Sequence, residues 1–405
     1  MEFQELTERE QDRAAALRPE VAEWTGAAPE DVSLVRSPYR VCPLGAHVDH
    51  QLGEVTGMAL DMSLLLGFSP QDDAVVQVRS HQFPGTASVS LTAPQTEPTG
   101  DWADYLRGAV HALRRDHDLR VGFRGIVDGY ENVGGLSSSA AAGVAYLLAL
   151  EKANGLSVTD EANIELDRRI ENDYIGLNNG ILDQSSILLS RPRHLMHLDC
   201  QTGQSRLIPF GGKHEFSVAV LFSGLRFPLS DSDYNRRVAE CREAARRLLE
   251  AAGMEVPTVP VLRAVPPEAF DHYGEQLPEP LRRRAAHYFG EQERVHRGLE
   301  LWRDGDLEAF GGLMDESGRS SVENYECGND YLRTAFRVLR ECSGVYGARF
   351  SGAGFRGCCI GLARPESEPR IAEQALREYL EEHPDMEGEA EVYFCRSAAG
   401  AALVE

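Results

Sequence analysis

Apolar positions recur along the chain at two spacings, and the changes from one to the other mark out its elements. Leu17, Val21 and Trp24 fall at helical intervals and predict a helix within the first ~35 residues, followed by a short strand over Val32 to Val35. Alternating and apolar stretches from Gly57 to Phe68, Ala74 to Arg79 and Ala87 to Leu91, separated by Pro, Gln and Asp, predict antiparallel strands. Residues Ala140 to Ala153 are apolar almost throughout and end at Asn154-Gly155, so they predict a buried helix with a glycine stop. A second helix is predicted from Asp160 to Tyr174, with Ile164, Leu166 and Ile170 among charges.

Phe210-Gly211-Gly212 reads as a hinge, and Phe216 to Phe222 as the strand that opens a second unit. Helices are then expected over 234–252, 279–303 and 329–341, strands over 347–351 and 357–363, a helix over 368–382 and a strand over 391–395. Strands and helices mix in both halves without regular βαβ alternation, so the expected class is α+β in two domains, 1–212 and 213–405. There is no internal repeat.

Composition narrows the function. No apolar run approaches the ~18 residues of a membrane span, and the start of the chain has no basic segment leading into an apolar one, so a cytoplasmic location is expected. Eight cysteines without a C-x-x-C pair suggest reduced thiols. A net charge of −23 argues against nucleic-acid partners, which need basic surface to displace counterions. The chain has only two lysines, Lys152 and Lys213, and neither precedes Ser or Thr or sits in a V-A-I-K strand. Walker-type and protein-kinase phosphate sites are therefore excluded, and an anionic ligand would have to rely on arginines and helix N-termini.

Three segments could carry chemistry. Gly134, Gly135, Leu136, Ser137, Ser138 and Ser139 stand at the start of the buried helix, where unpaired amides and the helix dipole favour an anion and glycines admit close approach. Serines before a helix also act as N-caps without any ligand. The stretch Arg36 to His50 gathers Tyr39, Arg40, His47, Asp49 and His50 in what reads as a loop, suited to gripping the hydroxyls of a polyol or to lying solvated on the surface. The third runs from Gly347 to Gly357 through Ser351, Gly352 and Gly354; a ligand-packing loop and a tight β-turn explain it equally.

In this order the three resemble the signature set of the GHMP kinases, and secondary matches favour the galactokinase branch: Trp102 to Gly108, Asn179-Gly180-Ile181-Leu182-Asp183-Gln184, and Tyr234 with Arg236-Arg237. The resemblance covers the whole chain. It implies a ribosomal-S5-like N-terminal domain and a ferredoxin-like C-terminal domain with the active site between them. It further implies ATP and Mg2+ as cofactors, Asp183 as catalytic carboxylate and Arg40 as its support. Ser139 and Glu171 would hold the metal, Gly134 to Ser139 the ATP phosphates, and the Ser351, Gly352, Gly354 loop would back them.

For the sugar the resemblance implies His47, Asp49 and Tyr234 on the hydroxyls. Galactokinases carry a glutamate where this chain has Ala46, and a carboxylate there would repel a uronate. With Tyr39, Ala46 and His50 altered together, the loop resembles that of plant galacturonate kinases, and Arg226 becomes a candidate partner for the uronate carboxylate. Galactokinase activity, a kinase of a related sugar such as glucuronate or arabinose, and a catalytically silent sugar-binding regulator are the alternatives. A further departure is Glu131-Asn132-Val133 ahead of the serine loop, where the family has a proline and another glycine.

Overall fold

Helix α1 (Glu8–Thr25) starts where Thr7 and Glu10 cap each other reciprocally and stops at Gly26 in the left-handed conformation. The chain then forms β1 (Ser33–Val41), β2 (Glu54–Gln71), β3 (Val75–Ser80) and β4 (Thr86–Ser90), followed by α2 (Asp104–Arg114), β5 (Gly122–Asp128) and α3 (Ser138–Asn154). Next come α4 (Asp160–Arg169), which continues as a π-helical turn over 170–175, α5 (Leu182–Leu189), β6 (His194–Asp199) and β7 (Ser205–Pro209). The second part holds β8 (Ser217–Phe222), α6 (Tyr234–Ala251), α7 (Pro267–Tyr273), α8 (Glu279–Asp304), α9 (Leu307–Glu323) and α10 (Asp330–Glu341). It ends with β9 (Val345–Phe350), β10 (Cys358–Ala363), α11 (Glu368–Glu382), β11 (Glu391–Cys395) and β12 (Ala402–Val404). The computed structural model describes residues 6–225, 233–355 and 357–404.

The first sheet runs β12-β1-β2-β5-β3-β4, with β6 and β7 attached through β2, and its one parallel pair is β3 with β5. Strand β2 serves three neighbours: besides β1, Leu65 to Gln71 pair with β5, and Glu54 to Gly57 pair with β6. Helices α2 and α3 bury one face of this sheet, while α1 packs Leu17 and Val21 against Leu34 and Leu65 on the other. The second sheet is antiparallel throughout, in the order β11-β8-β10-β9. Its path, β8, helices, β9, β10, α11, β11, is the β-α-β-β-α-β succession of a ferredoxin-like fold.

Helix α8 joins the two cores. Its N-terminal Leu281, Ala285 and Tyr288 pack with the second sheet, and its C-terminal Val295, Leu299 and Trp302 pack with the first. Gly211-Gly212, read from sequence as a hinge, is docked on the end of this helix. The Gly211 amide donates to the Trp302 carbonyl at 3.1 Å, and a Cβ at 211 would fall 1.8 Å from the Arg303 carbonyl oxygen.

Three other expectations change. The strand expected over 32–35 runs on to Val41, so Arg36 to Val41 is sheet and not loop. Every residue from Leu34 to Val41 is buried, which removes the alternation that marks a half-exposed strand. Arg36 is tolerated there because it pairs with buried Glu10 at 2.7 Å and donates to the carbonyls of Ala399 and Gly400. Helix α9 was not anticipated, since Gly311, Gly312 and Gly318 lower its propensity. Gly311 and Gly318 let it lie directly on β9: a Cβ at 311 would meet the Tyr346 carbonyl oxygen at 2.2 Å. Strand β12, also unanticipated, returns from the second sheet to pair with β1 through Leu34, Val35 and Arg36. All eight cysteines are buried free thiols, and no helix among the described residues is long and apolar enough to cross a membrane.

Candidate active site

Where β1, the start of α3 and the start of α5 converge, Arg40 and Asp183 form an ion pair with Nη2 to Oδ1 at 2.6 Å and Nε to Oδ1 at 2.9 Å. Burial works against the Arg40 charge, but the Asp183 carboxylate, with Cys42 and Asp49, outweighs it and raises the guanidinium pKa. The second carboxylate oxygen of Asp183 accepts a hydrogen bond from Ser137 Oγ. That contact takes the Ser137 hydroxyl away from the N-cap role. Ser137 occupies the N-cap position of α3 but has φ of 57°, left-handed, and its side chain caps nothing. A non-glycine residue pays on the order of 1 kcal/mol for this conformation. In it, the hydroxyl reaches Asp183 and the helix N-terminus stays open.

The loop ahead of α3 is held by backbone. Arg40 N donates to the Leu136 carbonyl at 3.1 Å, and Ser351 Oγ donates to the Gly135 carbonyl at 2.7 Å. A Cβ at Gly352 would stand 3.0 Å from Gly135 Cα, and one at Gly357 would stand 2.3 Å from the Gly134 carbonyl oxygen; φ at these two residues is 67° and 92°. The third segment is thus a turn that packs backbone to backbone on the first. Gly354 lies further along it, against Cys327 and His47. Leu136 contributes no free donor, because its amide donates to the Val133 carbonyl at 3.0 Å and its side chain is core. Gly134, Gly135, Ser137, Ser138 and Ser139 line a cavity with Arg40, Asp183 and Gly352.

An adjoining cavity shares Arg40, Ser139, Asp183 and Gly352, and adds Ala46, His47, Asp49, Glu171 and Tyr234. His47, at φ 57°, stacks on Tyr325 with centroids 4.2 Å apart and its Nε2 is 3.6 Å from Cys327 Sγ. Burial, then His287, pulls its pKa well below the ordinary range, so the ring is neutral at neutral pH. Asp49 Oδ2 accepts from the Gly180 amide at 3.2 Å; burial, then Asp183, pushes its carboxyl up to about 6. Tyr234 opens α6, buried and edge-on to His50. Glu171 sits in the π-helical turn, where it accepts hydrogen bonds from Asn179 Nδ2 and the Ser139 hydroxyl. Burial, then Asp183, raises its pKa.

Tyr39 departs from expectation. Strand alternation sends it to the face opposite Arg40, where it is buried and its hydroxyl accepts from the Tyr130 amide at 3.2 Å, away from both cavities. Arg226 lies outside the described residues.

Sequence reasoning missed the groups that hold the 44–50 turn. Glu291 of α8, fully buried, accepts from the amides of Gly45 (2.9 Å) and Ala46 (3.1 Å) and from Ser317 Oγ (2.7 Å), and pairs with Arg294 at 2.7 Å. Burial alone would raise its pKa; Arg294 and His287 bring it to about 2. His287 Nε2 donates to the Ala46 carbonyl at 2.9 Å while Nδ1 accepts from Ser320 Oγ at 3.0 Å. Arg349 lines the second cavity too, donating to the Cys42 carbonyl at 2.8 Å, while its Nε has no partner among the described residues. It lay in the glycine-rich segment, where the glycines drew the attention.

A hard cation is suited to oxygen ligands, and Ser139 with Glu171 offers two on facing elements. No group of three acidic, His or Cys side chains among the described residues could enclose a metal, so most of such a cation's shell would be water and ligand oxygens.

Two family models match the chain: the GHMP kinases N terminal domain over residues 104–191 and GHMP kinases C terminal over 298–382. The chain is 42% identical to the galacturonokinase of Arabidopsis thaliana, covering 96% of this chain and 97% of that one. It is 30% identical to the galactokinase of Roseiflexus sp. (strain RS-1), covering 92% and 93%. Among solved structures, Lactococcus lactis galactokinase complexed with galactose superposes with a TM-score of 0.87 at 26% identity, covering 96% of this chain and 99% of that one.

Proposed function

The chain belongs to the GHMP kinases, within their galactokinase-like sugar kinases, and from this premise we propose that it transfers the γ-phosphoryl group of ATP to the anomeric hydroxyl of D-galacturonate. The carrying observation is the position of Asp183, touched by Arg40 from β1 and by Ser137 from the phosphate-side loop, on the wall shared by the two cavities. Oδ1 is taken by both Arg40 contacts, while Oδ2, which accepts from Ser137, keeps a lone pair for the substrate. Asp183 accepts the hydroxyl proton, the sugar oxygen bonds to the γ-phosphorus, and the bond to the β,γ-bridging oxygen breaks to release ADP. Phosphoryl transfer has a loose transition state, so alignment and charge neutralisation do most of the work. Arg40 orients Asp183 and supplies positive charge beside the transferring group. The open amides at the start of α3 receive phosphate oxygens. Ser139 and Glu171 would hold Mg2+, which would supply charge neutralisation for the phosphates.

The substrate reading rests on the turn around Ala46. His47, Asp49 and Tyr234 face the sugar, with Asp49 as a charged acceptor for its hydroxyls. Ala46 adds no acid to the wall, and Arg349, with no carboxylate within ion-pair distance among the described residues, is the cation we assign to the uronate. The 42% identity to a galacturonokinase supports the same choice. Buried free thiols suit a reducing compartment, and we place the reaction in the cytoplasm, with residues 1–212 and 213–405 as the two units around the cleft.

A coupled assay of ADP release over a panel of neutral sugars and uronic acids tests this reading, with galacturonate expected to give the highest kcat/KM. Ala46→Glu is expected to move the galacturonate-to-galactose ratio toward galactose by roughly 10-fold or more, since like charges in a partly desolvated pocket repel by a kcal/mol or more. An unchanged ratio refutes the role of residue 46, and no ADP release with any sugar refutes the kinase reading.

A further inference from the structure

Two rungs span the gap between α3 and the helix opposite. In the first, the Ser139 hydroxyl meets the Glu171 carboxylate. The second lies one turn further along α3 and one turn back along α4, at residues 143 and 167, because i and i+4 share a helix face. Residue 143 is glycine, and a Cβ there would fall 2.0 Å from Asp167 Oδ1. The aspartate therefore fills the space that any other residue at 143 would occupy.

Asp167 is 0% exposed, and neither carboxylate oxygen has a hydrogen-bond partner among the described residues. The charged groups acting on it are Glu171 and Asp183, both acidic. A glycine inside a helix costs about 1 kcal/mol relative to alanine, and an unpaired buried carboxylate costs several more. Two unfavourable choices meet at one rung. Immediately beyond, the helix widens into its π turn at 170–175, a distortion found mostly at functional sites.

We propose that Asp167 is a positioning residue for the divalent cation. Its carboxylate accepts hydrogen bonds from the water shell of a cation held at Ser139 and Glu171, and so fixes which coordination positions are left for phosphate oxygens. The unpaired oxygens, the two acidic neighbours and the glycine opposite all find a use in this arrangement. The inference rests on the assignment of Ser139 and Glu171 to the metal.

The test is titration of Mn2+, followed by electron paramagnetic resonance, into the full chain with a non-hydrolysable ATP analogue, for the parent, Asp167→Asn, Gly143→Ala and Glu171→Gln. Asp167→Asn keeps the volume and removes the charge. It is expected to weaken Mn2+ binding at least 10-fold while the Tm of the cation-free protein stays equal or rises, opposite to what loss of a merely structural contact would give. Gly143→Ala displaces the carboxylate and is expected to weaken Mn2+ binding to a similar degree, and it decides the matter if Asp167→Asn fails to fold. Parent-like Mn2+ affinity in these two variants, with binding weakened in Glu171→Gln, overturns this inference alone. Parent-like affinity in Glu171→Gln as well overturns the metal assignment and the inference with it.

Discussion

The two sides of the cleft are built by different means. On the proposed phosphate side the contacts converge on main chain: Gly134 and Gly135 lie against Gly352 and Gly357, Arg40 N and Ser351 Oγ hold the carbonyls of Leu136 and Gly135, and the geometry depends largely on residues with no side chain. On the sugar side the 44–50 turn is gripped by side chains from distant segments, Glu291 and His287 of α8 and Tyr325 beyond α9. A backbone cradle suits a ligand part that never varies. A side-chain cradle can be altered one residue at a time without disturbing the backbone cradle.

Substitutions can break or sharpen this contrast. The largest effect is expected at Asp183, which both sides touch. Asp183→Asn should lower kcat by roughly 10^2 to 10^4, the range for losing a general base, and leave the Kd of nucleotide and of sugar within a few-fold. Loss of either binding would assign Asp183 to one side. Gly357→Ala follows, because its methyl would press on the Gly134 carbonyl and its φ of 92° disfavours any side chain. A displacement of about 1 Å costs roughly 10^2-fold, expected in kcat/KM for ATP with the sugar Kd unchanged. The smallest of the three belongs to Glu291→Ala, which strands two amides, Ser317 and Arg294. It should raise the KM for sugar about 10-fold and lower stability by about 3 kcal/mol, with the KM for ATP near parental. If Gly357→Ala and Glu291→Ala each moved both KM values equally, the two sides would not be separable.

Much of this was legible before the structure. The helix over 368–382 and the strand over 391–395 fall where their apolar spacing put them, and the serine loop does open a buried helix. Those features are local. What escaped depends on partners far along the chain: β1 hides its alternation because both faces are covered, and β12 is only three residues long with its partner near residue 35. Tyr39 and Arg40 read alike in sequence, yet they point to opposite faces of one strand, a distinction that appears only once the strand is known to reach Val41. Glu291 and His287 sit in a long charged helix where nothing separates them from solvated neighbours. Asp167 was hidden for the same reason, and only the glycine across from it reveals the site.

Strand β12 has a consequence for how the molecule is made on the ribosome. The edge of the first sheet at Leu34 to Arg36 can be covered by Ala402 to Val404 only after the entire second sheet has been synthesised. Until then the nascent first half carries an open, apolar strand edge beside an arginine waiting for the carbonyls of Ala399 and Gly400. Closure of that edge has to wait for both sheets to be made, so a chain stalled before Ala402 would present a sticky border to chaperones rather than a finished half.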